Sequence, residues 1–184
     1  MKVSFRKIKE FISTSLSAND VAAVLTATGL EIEGVETVDD VPGGMRGLVV
    51  GHITACDQHP NADRLRCCKV DVGTEELDIV CGAPNAAMGL KVLVATVGAT
   101  LHPLKGKPFK IKKGKIRGEV SVGMLCGEDE VGLGENSGGI MELDSKWVAG
   151  TLASEVFEAG SDEVLEIGLT PNRNDAMEIG RAHV

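Results

Sequence analysis

Between Lys105 and Arg117 the chain holds seven positive charges and no acid: Lys105, Lys107, Lys110, Lys112, Lys113, Lys115 and Arg117. The whole chain carries a net −8, so everything outside this stretch stands at −15. A concentrated basic segment on an acidic body is a local phosphate-binding footprint. The same composition also suits a solvated edge strand, where lysines prevent sheet-to-sheet association. A second group is His59-Pro60-Asn61-Ala62-Asp63-Arg64-Leu65. It is turn chemistry, in which the planar fork of Arg64 could meet a phosphate and His59 could cap the turn as a hydrogen-bond donor. A third is Ser121-Val122-Gly123-Met124-Leu125-Cys126-Gly127. Here Gly123 permits close backbone approach, Ser121 offers a hydroxyl, and Met124 offers an adaptable apolar face for a base. Equally, the segment reads as a glycine-kinked barrel strand with Met in the core.

Other chemistries lack their residues. The five cysteines (Cys56, Cys67, Cys68, Cys81, Cys126) contain no Cys-x-x-Cys pair, and neighbours Cys67 and Cys68 fall on opposite faces of a strand. With His52, His59 and His102 scattered, no closed zinc site is expected. No cysteine stands in a clearly activating setting, Cys68 beside Lys69 coming nearest. Gly132-Leu133-Gly134-Glu135-Asn136-Ser137 falls one glycine short of a dinucleotide fingerprint, and there is no Walker A pattern. No catalytic residue is expected.

The elements that must position these groups change character along the chain. Residues 1–37 read as helical, with a capping box at Ser17 and Asp20, helical spacing through Val21, Val24, Leu25 and Thr28, and Gly29 as the stop. Alternation over residues 30–35 predicts a short strand, and residues 39–44 a linker. Strands are predicted at 48–53, 66–72, 77–81, 91–95 and 109–112, with a short piece at 115–117. A further strand is expected at 164–169, a turn at 170–175, and then a helix in which the chain is cut. The order suggests a small barrel inserted into a discontinuous α/β domain: residues 1–40 its first part, 41–151 the barrel, and 152–184 its second part, truncated in a helix.

Hydrophobic residues make up 43% of the 184, enough for a core, and no apolar run is long enough for a transmembrane helix. The charged start lacks the apolar stretch of a signal peptide, and the odd cysteine count argues against a disulfide framework, so a cytoplasmic location is expected. The acidic total argues against nucleic-acid binding, and the basic segment argues for it. With four Phe, one Trp and no Tyr, base stacking has few partners.

Taken together, the motifs resemble a known domain. The run His59 to Leu65 followed by Cys68-Lys69-Val70-Asp71-Val72-Gly73, then Ile79-Val80-Cys81-Gly82-Ala83-Pro84-Asn85, then Ser121 to Cys126, is similar to the signature of EMAP-II-like tRNA-binding domains. The flanks, Leu25 to Val35 and Leu165 to Ala176, look like those of bacterial phenylalanyl-tRNA synthetase β subunits. The resemblance implies a mainly β chain with an α/β flank, its centre an OB-type five-stranded barrel. It also implies tRNA and the α subunit as partners, the latter in an (αβ)2 assembly that charges tRNA with phenylalanine. ATP and magnesium would serve the parent enzyme, with no cofactor, metal or catalytic centre in these residues. The expected RNA-binding residues are Arg64, Lys110, Lys112, Lys113, Lys115, Arg117, Ser121 and Met124. Either the barrel contacts tRNA as an auxiliary module, or it is a structural domain with little RNA binding of its own.

Overall fold

The computed structural model describes residues 1–169; the turn expected at 170–175 and the helix after it lie outside the described residues. Its strands are β1 (Lys2–Ser4), β2 (Ile32–Asp39), β3 (Leu48–Gln58), β4 (Arg66–Asp71), β5 (Glu76–Cys81), β6 (Lys91–Ala95), β7 (Thr100–Leu101), β8 (Phe109–Lys110), β9 (Gly114–Ile116), β10 (Glu119–Ser121), β11 (Met124–Leu125), β12 (Glu142–Leu143) and β13 (Ser161–Ile167). The helices are α1 (Phe5–Phe11), α2 (Ala18–Ala27) and α3 (Ala153–Val156). Among the described residues two compact units result, one from residues 1–40 with 161–169, the other from residues 41–160. The sequence expectation drew the second boundary at 151/152. The contacts divide at 160/161 because Ala153 of α3 is fully buried in the barrel's core.

In the first unit β13 lies between β1 and β2, antiparallel to both. Phe5, Ala18, Val21, Ala22 and Leu165 form its core. The expected capping box is present: the Ser17 hydroxyl accepts from Asp20 N–H, and the Asp20 carboxylate accepts from Ser17 N–H. Helix α2 ends with Gly29 at φ 91°, Leu30 N–H reaching Leu25 O at 2.9 Å. The chain opens in a strand rather than a helix, because Lys2 and Val3 pair with Glu166 and Leu165, partners that local periodicity cannot reveal. Ser4 then caps α1, its oxygen accepting from Lys7 N–H. Asp162 accepts from the Ser4 hydroxyl and Arg6 N–H; partial burial pushes its carboxyl up, but these bonds outweigh burial and hold it below its ordinary value.

The second unit is an OB-type barrel. Long β3 serves two neighbours, Leu48–His52 pairing with β6 and His52–Gln58 with β4. The bulge between Ile53 and Ala55 bends it so that it can do both. Just before the bulge, at Gly51, a Cβ would collide with side-chain carbons of Val94 and Val70. The sheet order is β11-β6-β3-β4-β5, with β12 also on β6. Its ends meet where Val122 N–H donates to Asp78 O at 2.8 Å and Val80 N–H donates to the Ser121 hydroxyl at 3.1 Å. Ile53, Val70, Ile79, Val92, Val94 and Leu125 fill the interior.

The fifth barrel strand is not the expected 109–112. There only Phe109–Lys110 is strand, and it pairs with β7 outside the barrel sheet. Its flanks, Gly106 and Pro108, interrupt a ladder, and its lysines have no place inside a barrel. Met124–Leu125 takes the position instead, opposite Ala95 and Val94. Gly123 lets it in, since a Cβ there would meet Ala95 O at 2.9 Å. The piece expected at 115–117 is β9, hairpin partner of β10.

Candidate nucleic-acid interface

Three anchors hold the basic segment against the barrel. Ile111 is buried, and its N–H and C=O bond Ala99 O and Gly98 N–H, so Lys110 and Lys112 on either side of it stay exposed. His59, 2% exposed, provides the second. Its Nδ1 accepts from Asn61 N–H at 3.0 Å, which leaves the proton on Nε2 to donate to Ile116 O at 3.0 Å. The third is Asn61 Nδ2, donating to Arg117 O at 3.3 Å. The loop bearing Arg64 is thereby docked on the hairpin bearing Lys115 and Arg117. Read from sequence, His59 was a turn-capping donor; it caps as an acceptor and donates across to β9.

Arg64, Lys110, Lys112, Lys113, Lys115 and Arg117 are all exposed. Among the described residues none of the seven cations between 105 and 117 forms an ion pair. Phe109, 41% exposed, stands among them. Arg117 and Gly118 are the two central residues of the β9–β10 turn, with φ 48° and 106°. Such a turn favours Asn-Gly, and a long side chain at the first position is locally unfavourable. Arg117→Asn is expected to stabilise the barrel by about 0.5–1 kcal/mol in urea unfolding while weakening RNA binding ~2–3-fold. A variant that leaves both quantities unchanged would remove the functional reading of this strain.

Ser121 and Met124 are placed differently from the cations. Ser121 is 5% exposed, and its hydroxyl is fully engaged, accepting from Val80 N–H and donating to Gly123 O at 3.1 Å. Its position makes it part of the barrel's closure. Met124 is half-buried on a cleft of about 630 Å³, too large to be a packing defect. Ile111, Leu125 and Ile140 contribute its apolar surface, Lys110 and Lys112 its cations, and Asp129 and Glu130 its acids. Gly82, Gly138 and Gly139 also line it. Sequence reasoning missed this cleft and both acids, which no motif contains.

Glu130 accepts from Gly127 N–H at 2.8 Å; burial nevertheless pushes its carboxyl up from the ordinary carboxylate value. A folded-state value above the unfolded one means that ionisation disfavours folding, so this contribution worsens as pH rises through that window. Glu130→Gln keeps an acceptor and does not titrate. Its melting temperature is expected to exceed the parent's at pH 7, with the gap closing by about pH 4. A gap that stays constant with pH would contradict this.

Asn85 is another residue whose role the motif concealed. Its Oδ1 accepts from Ile140 N–H, and its Nδ2 donates to Ile140 O, both at 2.9 Å, and to Glu142 at 3.0 Å. The side chain takes the place of a neighbouring strand. The thiols do not suggest reactivity: burial pushes Cys68, Cys81 and Cys126 up, away from the thiolate. Among the described residues no group of three or more His, Cys, Asp or Glu gathers as metal ligands, and no helix is long and apolar enough to cross a membrane.

A family described as "Putative tRNA binding domain" matches residues 48–152. Over 177 residues the chain is 47% identical to the phenylalanine–tRNA ligase β subunit of Bacteroides thetaiotaomicron, covering 96% of this chain and 22% of that one. The β subunit of Yersinia pestis is 46% identical over 180 residues, with 97% and 22% covered. The chain thus spans about a fifth of the length of these curated relatives. Among solved structures, a MetRS-related protein from Pyrococcus horikoshii matches with a TM-score of 0.41 and 21% identity, covering 56% of this chain and 85% of that one.

Proposed function

Since the chain belongs to the tRNA-binding domain family through residues 48–152, we propose that its barrel is an auxiliary tRNA-binding module of a phenylalanine–tRNA ligase β subunit. The observation that carries this reading is the run of seven exposed cations without ion-pair partners among the described residues, on a chain of net −8. Cations without partners keep their whole field for an outside anion, and anchoring by Ile111, His59 and Asn61 fixes them in register. Arg64, Lys110, Lys112, Lys113, Lys115 and Arg117 would meet phosphates. Met124 would lie beside a base, and Ser121 would act by holding the barrel closed. In the whole enzyme, an (αβ)2 assembly of the cytoplasm, charging tRNA with phenylalanine would use ATP and magnesium outside these residues.

The relatives' ligase names and the coverage of nearly the whole chain support this assignment. Fluorescence anisotropy with labelled total tRNA at 50 and 200 mM salt tests it. Neutralising about three to five phosphates should weaken affinity roughly 20- to 500-fold between these salts. A salt-independent curve would refute it. A second reading, a structural module with little RNA binding, is favoured by the acidic total and by the scaffold roles of His59, Asn85 and Ser121.

A further inference from the structure

The cleft beside the basic segment has a polarity that phosphate binding alone does not use. Lys110 and Lys112 supply its positive side chains, Asp129 and Glu130 its negative ones, and Ile111, Leu125 and Ile140 an apolar surface. A bare polyanion would be repelled by the carboxylates. An apolar ligand would leave four charged groups without a role. The fitting ligand has an anionic end, a flat apolar body, and an edge rich in N–H donors. Its volume of about 630 Å³ is ample for a nucleotide.

A carboxylate accepts two parallel hydrogen bonds and donates none. Of the four RNA bases, only guanine presents two adjacent donors, N1–H and the 2-amino group, on its pairing edge. Uracil presents one donor between two acceptors, and adenine and cytosine one amino group beside an acceptor. Aromatic side chains are absent from the cleft wall, so the base would lie on Met124 and the aliphatic residues. We propose that this cleft holds one unstacked guanosine nucleotide of the bound RNA, its phosphate against Lys110 and Lys112 and its N1–H/2-amino edge against Asp129 and Glu130. This deepens the tRNA-binding reading and rests on it for its biological ligand. Burial has already partly desolvated Glu130, which a pair of ligand donors would compensate.

The test uses the 184-residue chain, isotopically labelled for amide NMR and titrated with GMP, IMP, UMP and inorganic phosphate. GMP should shift the amides of Gly82, Gly127 and Gly139 and bind ~10-fold tighter than IMP, which lacks the 2-amino group, or UMP. In Asp129→Asn/Glu130→Gln, checked for an otherwise intact spectrum, GMP should fall to the level of IMP. GMP no tighter than inorganic phosphate, or shifts outside the cleft, would overturn the inference. Total tRNA is measured in parallel. Salt-sensitive tRNA binding without GMP in the cleft defeats this inference alone. GMP in the cleft without tRNA binding upholds the nucleotide site and defeats the tRNA reading.

Discussion

Replacing Lys110, Lys112, Lys113, Lys115 and Arg117 together by glutamine is expected to weaken tRNA binding at least ~100-fold at 50 mM salt and to flatten its salt dependence. The effect is large because these five groups are exposed and, among the described residues, have no ion pair to lose. Removing them therefore removes counterion release on the RNA without opening a gap in the core. The fold should survive, since Ile111, His59 and Asn61 anchor the segment through a buried side chain and backbone atoms that the substitutions leave alone. Each lost phosphate contact should lower the slope of log affinity against log salt by ~0.7–0.9. Unchanged anisotropy curves for this variant would instead identify the barrel as a structural module.

Asn85→Ala should produce the largest loss of stability. It removes the acceptor for Ile140 N–H and the donor to Ile140 O in one step, and Ile140 is itself buried. Two stranded backbone groups cost about 2–4 kcal/mol. That corresponds to a thermal midpoint lower by roughly 10 °C or more for the barrel unit. Loss below ~1 kcal/mol in urea unfolding would show that water replaces the side chain easily. Because Gly138, Gly139 and Ile140 border the cleft, nucleotide binding should weaken together with stability in this variant, whereas the glutamine variant of the cations should lose binding and keep its stability.

The two kinds of residue differ in how legible they were. The cations could be read from sequence because exposure and charge are local properties: thirteen consecutive residues contain the whole feature. Turn and cap chemistry was equally local, as Ser17, Asp20 and Gly29 show. The signature residues could be located, but their roles could not. His59 bonds Ile116, Asn85 bonds Ile140 and Ser121 bonds Val80, pairings between segments far apart in the chain. The misassigned fifth strand has the same cause. Phe109–Lys112 alternates convincingly, but the place beside β6 is decided by which segment can approach Ala95, and Gly123 gives that to Met124. The cleft was hidden because its walls come from β5, the basic segment, β10–β11 and the 127–140 loops.

The position of β13 also sets a timetable for synthesis. It is the middle strand of the first unit's sheet, pairing with β1 on one side and β2 on the other, yet it follows the whole barrel in the chain. As the chain leaves the ribosome, β1 and β2 emerge with no strand to join them. The barrel's strands, all within residues 41–160, can pair as soon as they appear. The barrel is therefore expected to be folded before Ser161–Ile167 arrives. By then the wandering loop between the two halves of the sheet has been replaced by a compact body, which reduces the entropy lost when the halves meet. Of the two units, the one whose strands begin earlier in the chain is thus the later to be completed.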